Sequence, residues 1–567
     1  MPDRTATPEL AGLGVSPGTG AGPVRTIAGA IPTPPAGERH HGDAEAETAR
    51  ARDALEAVAT DLDERGAKAG TEARDVLTAQ ALMARDPGLA ELTGQKITEG
   101  VAAPRAVHEA FGVFRAMLVG AGDYLAARVA DLDDIRDRAI AVLMDLPMPG
   151  VPETDEPFVL VARDLAPADT ALLDPATVLA FVTEEGGPTS HTAILARSMG
   201  VPAVVACPGA TALAEGTVVL VDGGDGRVVP HPSEDDLAKA RTATAARAEA
   251  LGATTGPGAT SGPGATSDGH AVPLLANVGG PQDVAAALEH GAEGVGLFRT
   301  EFLFLDRATP PGEDEQERAY RAVLEAFPYV VVRTLDAGAD KPLAFLPGTD
   351  GEPNPALGER GLRMLRRHPE VLAGQLRALA RTARTLPVEL LVMAPMVADA
   401  AEAREFAEVC RTAGIDRAGV MIEIPAAALR ARDLAAEATF FSVGTNDLAQ
   451  YAFAADRQVG ALSRLQNPWQ PALLDLVALA AEGAGDKACG VCGEAAGDPA
   501  LACVLTGLGV TSLSMSPPAL PAVRAALAAH TYAQCRDAAE AARTACDAAG
   551  ARRGARAELP ALTELGL

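Results

Sequence analysis

The sequence predicts a multidomain α/β protein: an α/β domain interrupted by a helical bundle, then a C-terminal (β/α)8 TIM barrel. Three observations carry that prediction. Between residues 270 and 530, eight apolar, strand-like runs alternate with helical patterns, the number and chain length such a barrel needs. Residues 44–146 repeat apolar side chains at helical spacing. Residues 150–230 break instead into short strand-like runs with a turn signal near their end.

Residues 10–26 begin Leu10-Ala-Gly-Leu-Gly-Val-Ser-Pro-Gly-Thr-Gly-Ala-Gly-Pro-Val24 and read as a strand with a Gly-rich turn. No Gly-Lys-Ser/Thr follows the glycines, so a nucleotide phosphate loop is not expected. In the helical block, Ala51, Leu55, Val58 and Leu62 share one face, as do Val107, Phe111, Phe114 and Leu118, and Leu125, Val129, Leu132 and Ile135. Breaks at 66–70, 86–88 and 120–122 divide it into four helices with short connections, a bundle. Nothing in it looks catalytic, which leaves scaffold or docking platform.

Phe158–Ala162, Thr177–Thr183, Ala203–Cys207 and Val218–Asp222 read as strands, with a hairpin-type turn at 222–226. Between two of them runs Gly186-Gly-Pro-Thr-Ser-His-Thr-Ala-Ile-Leu-Ala-Arg197. Thr189 or Ser190 suits the N-cap of a helix beginning there. His191 would then stand at a helix N-terminus, which favours an anion. A neutral imidazole there is a fair nucleophile at neutral pH, and a phosphoryl group added to it would meet hydroxyls and free amides. Residues 234–251 read as a charged, Ala-rich helix. Residues 252–269, with Gly-Pro-Gly-Ala-Thr-Ser twice in tandem, read as a flexible linker; a coil of that length spans roughly 23 Å root-mean-square.

The eight barrel runs are Val272–Asn277, Gly294–Phe298, Tyr329–Val332, Leu390–Ala394, Gly419–Ile422, Phe440–Val443, Ala488–Val491 and Ser512–Met515. Barrels of this kind carry their chemistry just past the C-terminal strand ends. Arg299, Arg333, Glu423, Asn446 with Asp447, and Cys492 fall there after five different runs. Arg299 and Arg333, with Lys341 and Arg457 nearby, suit a multiply charged oxyanion. Glu423 and Asp447 supply hard oxygen ligands for one Mg²⁺ completed by substrate and water. Cys489 and Cys492 form a CxxC pair, but no second pair or histidine at zinc spacing accompanies them. A thiol at a barrel rim can instead give a proton to a substrate carbon.

Composition narrows the partners. Lys plus Arg number 48 against 76 Asp plus Glu, and the formal charge of −28 argues against nucleic acid or an anionic membrane surface. A basic protein partner suits it better. Residues 1–30 lack the charged start and apolar core of a secretory signal, and no run approaches the length of a membrane span. Seven scattered cysteines fit free thiols in a reducing cytoplasm rather than a disulfide framework.

The string from Gly186 to Arg197 resembles the phosphohistidine segment shared by Enzyme I of the sugar phosphotransferase system, pyruvate phosphate dikinase and phosphoenolpyruvate synthase. Its Thr-Ser-His-Thr-Ala form is most similar to Enzyme I, although Pro188 departs from the common pattern. Gly12-x-x-x-Ser16-Pro-Gly18 and Asp131-Leu-Asp-Asp-Ile-Arg-Asp137 resemble matching Enzyme I segments. So do Gly294–Phe304, Arg333–Lys341, Phe441–Leu448 with Asp456-Arg457, and Cys492-Gly-Glu494, the phosphoenolpyruvate-binding segments.

The resemblance implies that His191 is the phosphohistidine nucleophile and Cys492 the proton donor. It implies that Arg299, Arg333, Asn446, Asp447 and Arg457, assisted by Lys341 and Arg360, bind phosphoenolpyruvate. Glu423 and Asp447 would hold Mg²⁺, and Thr170 would lie near the phosphohistidine. It implies a cytoplasmic enzyme that phosphorylates itself and then the phosphocarrier protein HPr, and a homodimer formed through the barrel. The implied domains are 1–34 with 148–232 for the phosphohistidine unit, 35–147 for the HPr-binding bundle, 233–269 for a linker helix and hinge, 270–540 for the barrel and 541–567 for a tail. Cys489, a second thiol near Cys492, raises sensitivity to oxidation. The alternatives are a synthase- or dikinase-like enzyme, which needs an ATP-grasp domain where this sequence reads as helical bundle, and a regulatory phosphorelay protein.

Overall fold

The computed structural model describes residues 8–27, 31–68, 71–120, 129–146, 150–151, 154, 156–165, 173–174, 177–187, 190–254, 262–305, 307–339, 342–343, 345–346, 352–457 and 459–567. Thr170, Pro188, Thr189 and Lys341 lie outside the described residues, as does the side chain of His191.

The first part of the chain builds an eight-stranded sheet in the order β1-β8-β7-β3-β4-β5-β6-β2. These strands are β1 (Leu10–Ala11), β2 (Leu13–Ser16), β3 (Thr19–Thr26), β4 (Phe158–Ala162), β5 (Val178–Thr183), β6 (Ala203–Val205), β7 (Val218–Asp222) and β8 (Arg227–Pro230). β3, β4, β5 and β6 pair in parallel, while β7 joins β3, and β2 joins β6, antiparallel. β4, Phe-Val-Leu-Val-Ala, is buried at every position, the uninterrupted apolar pattern of a strand covered on both faces. Gly20 in β3 lies so close to β5 that a Cβ there would stand 2.1 Å from the Leu179 carbonyl oxygen. β8, the returning arm of the hairpin, is a strand the sequence reading left unassigned beyond its turn.

The helical block sits between β3 and β4. Five described helices occupy it: α1 (Ala44–Lys68), α2 (Thr71–Ala84), α3 (Pro87–Thr98), α4 (Ala103–Gly120) and α5 (Val129–Leu143). Four were expected. The extra break falls at Gly100, whose φ of +92° suits glycine, with Pro104 near the start of the next helix. Ala51, Leu55, Val58, Leu62, Val107, Phe111, Leu132 and Ile135 are all buried in one core, as their spacing requires. Arg138 is wholly buried beside Asp134 (2.8 Å) and Asp61 (3.5 Å), an ion cluster that apolar periodicity does not reveal.

α6 (His191–Met199) crosses from β5 to its parallel neighbour β6, so His191 stands beyond the C-terminal end of β5. Open parallel sheets bind their ligands at that edge. α7 (Glu234–Thr254) then leads to the barrel. Part of the expected flexible linker is not free. In residues 262–269, Gly264 N–H donates to Glu293 (2.8 Å), Ser267 N–H to the His530 carbonyl (2.9 Å), and Ala265 bridges Ala271. Glycine and proline there serve a fitted turn, because the barrel supplies the hydrogen bonds that composition alone cannot show. Residues 255–261 lie outside the described part.

Eight parallel strands close the barrel: β9 (Leu274–Val278), β10 (Val295–Phe298), β11 (Tyr329–Arg333), β12 (Glu389–Ala394), β13 (Ala418–Ile422), β14 (Phe441–Val443), β15 (Cys489–Val491) and β16 (Ser512–Met515). β16 pairs with β9 to shut the ring. Leu297, Val331, Leu391, Met393, Met421, Phe440 and Cys492 fill the interior, and the strands' other faces pack against the helices. The segment expected as a tail is folded: helices Ala548–Glu558 and Ala561–Glu564 form, and Leu559 between them and Leu562 are buried in the barrel's outer core. No described helix is long and apolar enough to cross a membrane.

Candidate active site

The barrel's C-terminal rim opens into a cavity of about 480 Å³. Seven sequence-predicted residues line it together: Arg299, Arg333, Glu423, Asn446, Asp447, Arg457 and Cys492. They come from separate units of the ring. Arg299 follows β10, Arg333 ends β11, Glu423 follows β13, Asn446 and Asp447 open the helix after β14, and Cys492 follows β15. Parallel closure alone brings residues this far apart in sequence to one mouth.

Charges around the cavity alternate. Arg333 pairs with Glu301 (2.8 Å) and Asp336 (3.3 Å). Asp336 pairs with Arg360 (2.9 Å), Arg360 with Asp447 (3.0 Å), and Asp447 with Arg457 (3.5 Å). Sequence reasoning missed Glu301 and Asp336, each standing two or three residues after a rim arginine. Those short spacings were the available signal. Arg360 is placed differently from the others. It is fully buried, does not line the cavity, and spreads its guanidinium over two carboxylates beneath it.

Two arginines retain capacity for a ligand. Arg299 is exposed, with no ion pair to another described residue. Arg333 has a buried Nε without an acceptor among the described residues, and a ligand oxygen would supply one. Burial pulls the Arg333 guanidinium down, but the carboxylates of Glu301, Asp336, Glu423 and Asp447 outweigh it and hold the charge firmly.

Glu423 is almost wholly buried, and its Oε1 accepts from Met396 N–H at 2.6 Å. Burial first, then the charges of Asp447 and Asp336, raise its affinity for a proton well above that of an ordinary carboxylate. A divalent cation would relieve the same repulsion. The donor chemistry therefore fits Mg²⁺: two hard carboxylates following adjacent strands. Such a pair leaves most coordination positions to substrate oxygens and water.

Cys492 is buried inside the barrel with Sγ 3.6 Å from the Val443 carbonyl oxygen. Burial pushes its thiol up, with Ser442, Arg333 and Arg299 acting the other way, so it keeps its proton at neutral pH. Asn277 Nδ2 donates to the Cys492 carbonyl (3.0 Å), and Ser514 Oγ donates to Asn277 (2.6 Å); neither support was read from sequence. Cys489 does not share this setting. Its side chain belongs to the outer core and that of Cys492 to the barrel interior, because they stand on opposite faces of one strand. Their proximity in sequence is not proximity of sulfurs. All seven cysteines are free thiols.

The His191 segment docks on this rim. Ser190 caps α6, its Oγ accepting from Ala193 N–H at 3.3 Å, and Gly200 ends the helix at φ +67°. Before the cap, buried Gly187 packs against Arg457 and Ser463: a Cβ there would stand 3.8 Å from each. Toward the end of α6, Arg197 Nε lies 3.2 Å from Glu494 Oε2. A second contact joins the two units, where Asp225 in the β7–β8 turn pairs with Arg552 (3.4 Å), and Arg552 lies over Trp469 (6.0 Å).

Comparison with known proteins places this arrangement. Residues 11–128 match the N-terminal domain of PEP-utilising enzymes, 154–226 their mobile domain and 259–532 their PEP-binding domain. The phosphoenolpyruvate-protein phosphotransferase of Streptomyces coelicolor is 63% identical over 556 residues, 97% of this chain and 99% of that protein. The chain belongs to the phosphoenolpyruvate-protein phosphotransferase family. Another phosphoenolpyruvate-protein phosphotransferase, from Haloferax volcanii, is 41% identical over 95% of this chain and 97% of its own length. That of Listeria innocua is 38% identical over 84% and 86%. The match to the mobile domain of PEP-utilising enzymes contains α6, and the match to their PEP-binding domain contains the seven sequence-predicted residues of the cavity.

Proposed function

We propose that this chain takes the phosphoryl group of phosphoenolpyruvate onto His191, releases pyruvate, and passes the group to the phosphocarrier protein HPr. The observation that carries this is the docking of the His191 helix on the rim of an arginine-lined cavity in a member of this family. The helix N-terminus beginning at His191 offers backbone N–H groups to the arriving phosphoryl oxygens.

Arg299, Arg333 and Arg457 bind the substrate's anionic oxygens and offset the charge that spreads over them in transfer. Asn446 orients the substrate. His191 attacks phosphorus in line, an N–P bond forms as the bridging O–P bond breaks, and that bond's electron pair goes to the enolate oxygen. The Cys492 thiol then protonates the methylene carbon to give pyruvate and regains its proton from solvent. Glu423 and Asp447 would hold Mg²⁺, which supplies charge neutralisation at the phosphoryl oxygens when bound. Arg360 acts from below by fixing Asp447, and Lys341 and Thr170 complete the set. No strong base is needed beside His191, because positioning and charge do the work.

The same reading assigns 1–34 with 148–232 to the phosphohistidine domain, 35–147 to HPr docking, 233–269 to the connection, 270–540 to the barrel and 541–567 to its last packed segment. It takes the protein as a cytoplasmic homodimer joined through the barrel. The test is incubation with radiolabelled phosphoenolpyruvate, Mg²⁺ and HPr. Label should appear on the chain, move to HPr, and be absent from His191→Ala; label retained by that variant at wild-type stoichiometry refutes the proposal.

A further inference from the structure

Arg197 and Glu494 join two parts of the machinery that the proposed reaction requires to meet. Arg197 lies on α6, six residues after His191, and Glu494 lies two residues after Cys492. Both ends are anchored. Arg197 Nη1 also donates to the Val15 carbonyl of β2 (3.2 Å), and Glu494 N–H donates to Asn446 Oδ1 (3.2 Å). The pair is largely shielded, with side-chain exposures of 18% and 26%, so screening by water is weaker than at an open surface. Together with Gly187 against Arg457 and Ser463, it fixes α6 at two places, one before its start and one in its last turn.

Glu494 also lines the substrate cavity. An unpaired carboxylate there opposes an anionic ligand, and Arg197 removes that opposition only while the mobile unit is docked. Resting on the proposed function, we infer that Arg197 and Glu494 form an electrostatic latch coupling the position of the mobile domain to the cavity's affinity for anions. With the latch closed, the cavity favours phosphoenolpyruvate and holds α6 in register. With the latch open, the restored charge of Glu494 helps expel the anionic product. Linkage makes the effect reciprocal: an anion in the cavity favours docking as much as docking favours the anion. Arg197 and Glu494 are positioning residues in this scheme and take no part in bond making.

The test separates the two half-reactions in the full-length chain. Arg197→Ala should raise the KM for phosphoenolpyruvate in self-phosphorylation at least about fivefold. It should leave the rate of phosphoryl exchange with pre-phosphorylated HPr within about twofold of wild type, since that step uses the undocked state. The charge-exchanged double variant, Arg197→Glu with Glu494→Arg, should recover most of the lost affinity. An unchanged KM in Arg197→Ala overturns the latch. So does equal loss in both half-reactions, or a double variant no better than Arg197→Ala. A wild-type chain that takes no label from phosphoenolpyruvate sinks the underlying function instead, so the two failures are distinguishable.

Discussion

Fully buried Arg360 holds Asp447 by two hydrogen bonds, Nη1 to Oδ1 at 3.0 Å and Nη2 to Oδ2 at 3.3 Å. Its Nε and Nη2 also donate to Asp336 at 3.0 and 2.9 Å, and Nη1 to the Tyr451 hydroxyl at 3.4 Å. Removing it would leave two buried carboxylates facing one another. Arg360→Met should therefore lower unfolding stability by about 3–5 kcal/mol, measured by denaturant titration. Arg360→Lys, which keeps the charge but not the fork, should fall between. Wild-type stability in Arg360→Met would show that the carboxylates are satisfied some other way.

Glu423 makes stability depend on pH in an unusual direction. A carboxyl group that binds its proton more tightly folded than unfolded favours the fold at low pH. That advantage is lost as pH climbs from the ordinary carboxylate range through the raised folded value. Metal-free protein should lose thermal stability across that interval, and Glu423→Gln should flatten this component of the profile. Added Mg²⁺ should suppress the loss, whereas a profile insensitive to both would rule out Glu423 as its source.

The two CxxC sulfurs should behave independently. Cys492→Ala should bind phosphoenolpyruvate normally but form pyruvate slowly, by about 10²-fold or more for loss of a positioned acid. Cys489 has its thiol pushed up to about 12 by burial among outer-core side chains. Cys489→Ala should leave turnover unchanged at a cost of about 1 kcal/mol in stability. Peptide mapping after mild oxidation should find no 489–492 disulfide; finding one would contradict the opposite facing of the two side chains.

Gly493 allows the loop after β15 to cross the helix after β14. A Cβ on it would stand 1.9 Å from Thr445 Oγ1 and 2.8 Å from the Thr445 backbone nitrogen. Gly493→Ala should displace both Cys492 and Glu494, costing about 1–3 kcal/mol of stability and a larger share of activity. Activity assays paired with thermal melts would separate the two effects.

Much of this fold was legible because periodicity survives in single segments. The eight barrel runs appear as strands within a residue or two of their expected bounds, since each is a short, mostly apolar stretch. The rim residues were legible for the same reason, as a charged residue directly after such a run has few other places to go. What was hidden depends on partners distant in sequence. Glu301 and Asp336 gain meaning only beside Arg333, and Asn277 only beneath Cys492. Residues 262–269 looked flexible because their hydrogen-bond partners, Glu293 and His530, lie elsewhere in the chain. The helix break at Gly100 was readable from Gly-x-x-x-Pro but yielded to the apolar spacing on either side.

Trp469 is the chain's single tryptophan. It sits under Arg552, whose guanidinium reaches across to Asp225 on the mobile unit. Nature has thus installed one native fluorophore at the seam. Its emission should report any separation of the two units in real time, without a dye, on the wild-type molecule.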